Sequence, residues 1–162
     1  MNNATTADTK PHADETTGSS AFARYLPSIA RVLMGLMFFV FGLNGFLNFI
    51  PRPKDPMPEA AVALFQGLMK SGYMMPLIFG TQVLVGALLL SNRFVPLALA
   101  LIAPVIVNIV AFHACVQPNG IVMAGVVLVL ELYLAWAYRK AFQPMLAMRV
   151  KPGPAKDYGT KQ

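Results

Sequence analysis

The stretch "YMMPLIFGTQVLVGALLLSNRFVPLALALIAPVIVNIVAF", residues 73–112, carries a single charged side chain, Arg93. Two apolar runs, Tyr73–Leu90 and Phe94–Phe112, are separated only by Ser91, Asn92 and Arg93. Each run approaches the roughly 20 residues that a helix needs to cross a hydrocarbon layer about 30 Å thick. Hydrocarbon offers backbone N–H and C=O groups no partners, so a crossing segment must satisfy them internally and be helical. The three-residue break leaves room only for a tight turn. The stretch therefore reads as an antiparallel helical hairpin in lipid.

The same pattern extends on both sides. Leu26–Ile50 ("LPSIARVLMGLMFFVFGLNGFLNFI") precedes the hairpin and Ile121–Tyr138 follows it. Four crossings of this kind predict an all-α fold, an integral membrane four-helix bundle. Pro76 and Pro96 fall in first turns, where proline is tolerated, whereas Pro104 predicts a kink inside the third crossing. Between the first two crossings, "PRPKDPMP" (51–58) is too rich in proline for a helix. The following "PEAAVALFQGLMKSG" (58–72) predicts a short amphipathic outer helix: Pro58 and Glu59 suit its start and Gly72 its stop. Val62, Phe65, Leu68 and Met69 share one face, which suits a helix lying on the outer interface.

Composition agrees. Hydrophobic residues make up 56% of the 162 and charged residues 12%, against about a quarter charged in a soluble domain. The deficit points to lipid as the solvent. The net charge of +6 is placed for orientation rather than for nucleic acid, because no basic stripe with interleaved aromatics appears. With four crossings, one side holds Lys10, Arg24, Arg31, Arg93, Arg139, Lys140, Arg149, Lys151, Lys156 and Lys161. The other holds only Arg52, Lys54 and Lys70. The excess predicts both termini in the cytoplasm. Residues 1–23, rich in Thr, Ala, Asp and Ser, read as a disordered tail, residues 24–145 as the membrane domain and residues 146–162 as a basic tail. Tyr25, Tyr73, Tyr133, Trp136 and Tyr138 fit interfacial anchoring.

Some chemistry is excluded. The one cysteine, Cys115, rules out an internal disulfide or a dithiol redox pair. The two histidines, with His12 in the polar tail, rule out a bis-histidine haem. His113 and Cys115 are too few ligands for zinc. No covalently held cofactor and no stand-alone enzyme are expected, since the chain lacks its own electron carrier, nucleophile or nucleotide-binding loop.

Polar side chains within the crossings are few, and they carry the functional reading. Gln82 and Glu131 fall near mid-span, Glu131 within roughly 3 Å of the centre, and Asn44 and Asn108 about 7 Å toward the outer side. Asn48 and His113 lie at the outer interface. An acid at mid-bilayer costs about 2.5–3.5 kcal/mol on insertion scales, so Glu131 should turn inward and seek partners. As a neutral acid it would donate to the Gln82 or Asn108 carbonyl. Ala124, Ala135, Gly86 and Gly45 would let the polar faces approach. Two readings follow. Glu131, Gln82, Asn108, Asn44, Asn48 and His113 either line an outward-opening polar pocket with Glu131 at its base, or clasp the four helices together without chemistry.

The segments "FGLNGFLNFIP" (41–51), "FQGLMKSGYMMPLIFGTQVLVGALLLSNRFVPLAL" (65–99) and "LYLAWAYRKAF" (132–142) resemble the DoxX family of small four-helix bacterial membrane proteins, over roughly residues 24–145. The resemblance implies a bacterial inner-membrane location and the company of membrane oxidoreductases. No catalytic residue carries over from it, and the missing dithiol speaks against direct disulfide exchange. The function expected is an accessory subunit of a membrane oxidoreductase system, with a quinone as candidate ligand and a soluble or membrane oxidoreductase subunit as candidate partner. The alternatives are a non-catalytic scaffold or assembly factor, and a small-solute or proton pathway.

Overall fold

The computed structural model describes residues 17–51 and 56–145, with side chains from residue 24 onward. The polar tail over residues 1–16, part of the proline-rich connection (52–55) and the basic tail (146–162) lie outside the described residues. Six α-helices account for most of the rest: α1 (Thr17–Leu47), α2 (Glu59–Lys70), α3 (Met74–Leu90), α4 (Val95–Cys115), α5 (Ile121–Ala137) and the single turn α6 (Arg139–Phe142). A 3-10 turn, Pro118–Gly120, joins α4 to α5.

α1 begins well before the predicted span, so residues 17–23 are helical rather than part of a disordered tail. Pro27 consequently lies inside the helix, not at its start. The physical reason is propagation: once the apolar turns are formed, extending a helix through "SSAFAR" adds a hydrogen bond per residue without a new nucleus. The other boundaries fall within about three residues of those predicted, the normal scatter at frayed ends.

Three stretches are long and apolar enough to cross a membrane: Arg24–Leu47, Val95–Cys115 and Pro118–Ala137. α3, with 17 residues, stands at the lower end of the usual range of about 17–25. Together with α2, from which it is bent by 90°, it forms the fourth candidate. Only 33%, 28% and 22% of the three spans is buried. Their outer faces carry Val107, Val122, Val129 and Leu132, each at least 60% exposed. Apolar faces of this extent would oppose solution in water and are suited to lipid.

The bundle is a ring. α1 packs along α3, α3 on α4, α4 on α5, and α5 returns to α1. Met34, Val85, Leu89, Leu99, Ile102, Ile106 and Leu134, drawn from all four helices, fill the core. α1 and α3 approach closely where Gly86 faces the Phe39 backbone: a Cβ built there would stand 2.5 Å from the Phe39 nitrogen. Glycine is needed at that crossing because a backbone cannot swing aside as a side chain can.

The 91–93 connection is as tight as its length demands. Ser91 N donates to Ala87 O at 2.9 Å and Arg93 N to Leu88 O at 3.1 Å. Asn92 takes the left-handed conformation at φ 55°, a region in which asparagine is several-fold enriched. α2 turns Ala61, Val62, Phe65 and Leu68 toward the bundle and leaves Met69, predicted on that face, 63% exposed. The Phe65 ring meets Phe112 edge-on at 5.6 Å, fastening α2 over the end of α4. At the other end of the bundle, Arg139 lies 4.7 Å over the exposed Trp136 ring, an amphipathic pair suited to an interface.

Candidate functional site

Glu131 does turn inward. It is 7% exposed, between buried Val127 and Leu134 on one face of α5. Its Oε2 is fully covered and has no hydrogen-bond partner among the described residues. The predicted bonds to the Gln82 and Asn108 carbonyls are not formed; neither residue enters a side-chain hydrogen bond among the described residues.

The second buried charge is Arg31, 9% exposed. Its Nη1 donates to the Leu89 carbonyl of α3, while its Nε has no partner among the described residues. Leu89 lies in the last turn of α3, where the helix dipole favours a cation; its carbonyl also accepts from Asn92 N at 3.2 Å, so Arg31 is a second donor to it. Arg31 is thus a cap supplied by a neighbouring helix. Sequence reasoning placed it near the end of the first crossing and counted it only for orientation. No local signal marks it as inward-facing: a long basic side chain near a span end ordinarily reaches for the interface.

Gln82 and His113 line a half-open cleft of about 260 Å³ between the helices, with Phe41 and Met123 exposed at its mouth. Phe38 and Phe41 of α1, Ile109 of α4, and Met123, Ala124 and Val127 of α5 make most of its wall. Among the described residues Gln82 and His113 are its only polar side chains, so the site is an apolar cleft with two polar points, not the polar ladder the sequence suggests. Glu131 is not in the wall. It follows Val127 by four residues, about 6 Å further along the same helix face.

The His113 ring is held in place. Its Nδ1 lies 2.9 Å from the Gln117 carbonyl oxygen, which can only accept, so Nδ1 carries the proton. In the neutral ring Nε2 is then left as an acceptor. Phe112 packs edge-on at 5.2 Å. Gly120 leaves the ring its space, since a Cβ at that position would overlap the imidazole. Gln117 thus fixes the tautomer and, with Gly120 of the 3-10 turn, the orientation of the ring.

The three asparagines depart from the expected pocket. Asn44 Oδ1 accepts from Ile50 N at 2.7 Å, tying down the chain as it leaves α1. Asn48 is exposed and left-handed, at φ 51°, with its N–H donating to Asn44 O at 2.8 Å. Both belong to the C-terminal cap of α1, for which asparagine is a common choice after glycine. Asn108 is exposed on the outer side of α4, away from the bundle interior. Periodicity could not show this, because α4 is apolar on nearly every face.

Among the described residues no group of three or more His, Cys, Asp or Glu side chains gathers to hold a metal, and Cys115 is an exposed thiol. Neither a family model, nor a curated protein, nor a solved structure matches the chain.

Proposed function

We propose that the chain is a four-helix protein of the bacterial inner membrane, with both termini cytoplasmic. In this reading it serves as an accessory subunit that holds a quinone or quinol for a membrane oxidoreductase. The observation that carries the reading is the half-open apolar cleft in which Gln82 and His113 are the only polar side chains among the described residues. Ligand sites are typically apolar clefts or cavities with a few placed polar groups. A dry cavity of about 150 Å³ admits benzene, so 260 Å³ suits one substituted ring, with its isoprenoid tail left in lipid.

The chemistry of the two polar points fits both redox forms. The Gln82 amide N–H donates to a quinone carbonyl, and the His113 Nε2 accepts from a quinol hydroxyl. The single cysteine and sparse histidines leave electron transfer to a partner subunit. The resemblance to the DoxX family supports the same company and the same membrane. The charge asymmetry across the four crossings supports the orientation.

The test is equilibrium binding of a short-chain quinone to the protein in nanodiscs, corrected for partition into protein-free discs. One saturable site per chain is expected. Gln82→Leu and His113→Phe should each weaken it by up to about tenfold, the worth of one hydrogen bond. Binding that does not saturate above lipid partition, or that survives both substitutions together, refutes the proposal.

A further inference from the structure

The outward face of α4 presents an amide to lipid with nothing among the described residues to bond it. Asn108 is exposed, and it makes no hydrogen bond among the described residues. It lies three residues from the middle of Val95–Cys115, about 4.5 Å from mid-span. At that depth no water is at hand, and an unsatisfied polar group in hydrocarbon costs several kcal/mol. Leu97, Leu101, Pro104, Ala111 and Cys115 are exposed on the same stripe as Asn108. Only the two leucines, more than a turn and a half from Asn108, have long side chains. Pro104 adds a second polar deficit on this stripe: having no N–H, it cannot serve the Ala100 carbonyl.

We propose that α4 pairs with α4 of a second copy of this chain, through a reciprocal hydrogen bond between the two Asn108 side chains. This inference rests on the membrane-spanning reading but not on the quinone. A carboxamide has a donor and an acceptor side by side, so two of them satisfy each other under a two-fold axis, each Nδ2 donating to the other Oδ1. Every copy inserts with the same orientation, so the axis runs along the membrane normal. Identical residues then face one another at the same depth. A second copy therefore brings a matching amide to this level without any further design. Leu97, Leu101, Pro104, Asn108, Ala111 and Cys115 recur at alternating four- and three-residue intervals, the spacing that keeps one seam of a helix facing a partner helix. Ala98, Leu99, Ile102 and Ile106 are buried on the opposite side of α4, so pairing leaves the bundle and its cleft undisturbed.

Cys115 is the chain's single cysteine and lies on the same face as Asn108, so the dye is attached elsewhere, through Gln162→Cys in a Cys115→Ser background. Donor- and acceptor-labelled protein of this kind is mixed in liposomes over a range of protein-to-lipid ratios and read by energy transfer. A monomer–dimer isotherm is expected. Asn108→Leu should raise its dissociation constant by about 5–30-fold, and Asn108→Gln, which keeps the amide, should restore most of it. Quinone binding in nanodiscs loaded with one chain should be unchanged in Asn108→Leu. That result separates failure of this contact from failure of the cleft reading. A wild-type chain that stays monomeric at every ratio overturns the proposal, as does a dimer whose affinity is unchanged in Asn108→Leu. A stable complex with a different membrane protein that occupies the Asn108 face in place of a second copy overturns it as well.

Discussion

Replacing Glu131 with methionine separates the two roles that an acid inside a helical bundle can have. A clasp must bond across to a neighbouring helix, and its removal must loosen the bundle. Glu131 is buried among Val127, Leu134 and the rest of the apolar core, and its Oε2 has no partner among the described residues. A buried polar atom left unpaired costs about 1–3 kcal/mol. Methionine has similar length and no polar hydrogen-bonding demand, and a volume-conserving swap of this kind costs less than about 1.5 kcal/mol. The balance favours Glu131→Met by about 1 kcal/mol, or about fivefold in the unfolding equilibrium constant. Reversible unfolding in bicelles, followed by steric trapping, measures that quantity directly. Glu131 stands outside the cleft wall, so quinone affinity should be retained. A loss of about 2 kcal/mol or more would mean that the carboxyl holds helices together, and the reasoning from its unpaired oxygen would fail.

Other substitutions probe the remaining contacts. Arg31→Met removes a charged donor from the Leu89 carbonyl and should destabilise the bundle by about 1.5–3 kcal/mol in the same unfolding assay. Arg31→Lys, lacking the planar fork, should recover only part of that loss. Gly86→Ala places a methyl against the Phe39 backbone and should cost about 1–3 kcal/mol, visible as a lower unfolding midpoint. Asn44→Ala deletes the bond to Ile50 N and should cost about 1 kcal/mol while leaving quinone affinity unchanged, as befits a cap rather than a pocket residue. Gly120→Ala should displace the His113 ring and weaken quinone binding with little effect on unfolding, a pattern that titration and the unfolding assay together would resolve.

The positions of the helices were legible in the residues because they depend on quantities local to the chain. The length of an apolar run decides whether it crosses, and Gly72, Pro58 and Ser91–Arg93 decide where helices stop and start. The inward turn of Glu131 was legible for a similar reason, since a carboxyl in lipid is costly whatever its neighbours.

Rotation and tilt did not follow, because α3, α4 and α5 are apolar all around and no stripe marks the face each presents. Asn108 has the same apolar flanks whether it looks in or out, and only the packing of Ile102 and Ile106 against the core sends it outward. Gln82 and His113, read at different depths, meet in one cleft because the packed helices bring mid-α3 alongside the far end of α4. Arg31 became an internal cap only when α3 placed the Leu89 carbonyl within its reach. Local thermodynamics specifies which segments become helices in an apolar solvent. Which of their faces meet is a property of the whole bundle, set by close packing among partners distant in the chain.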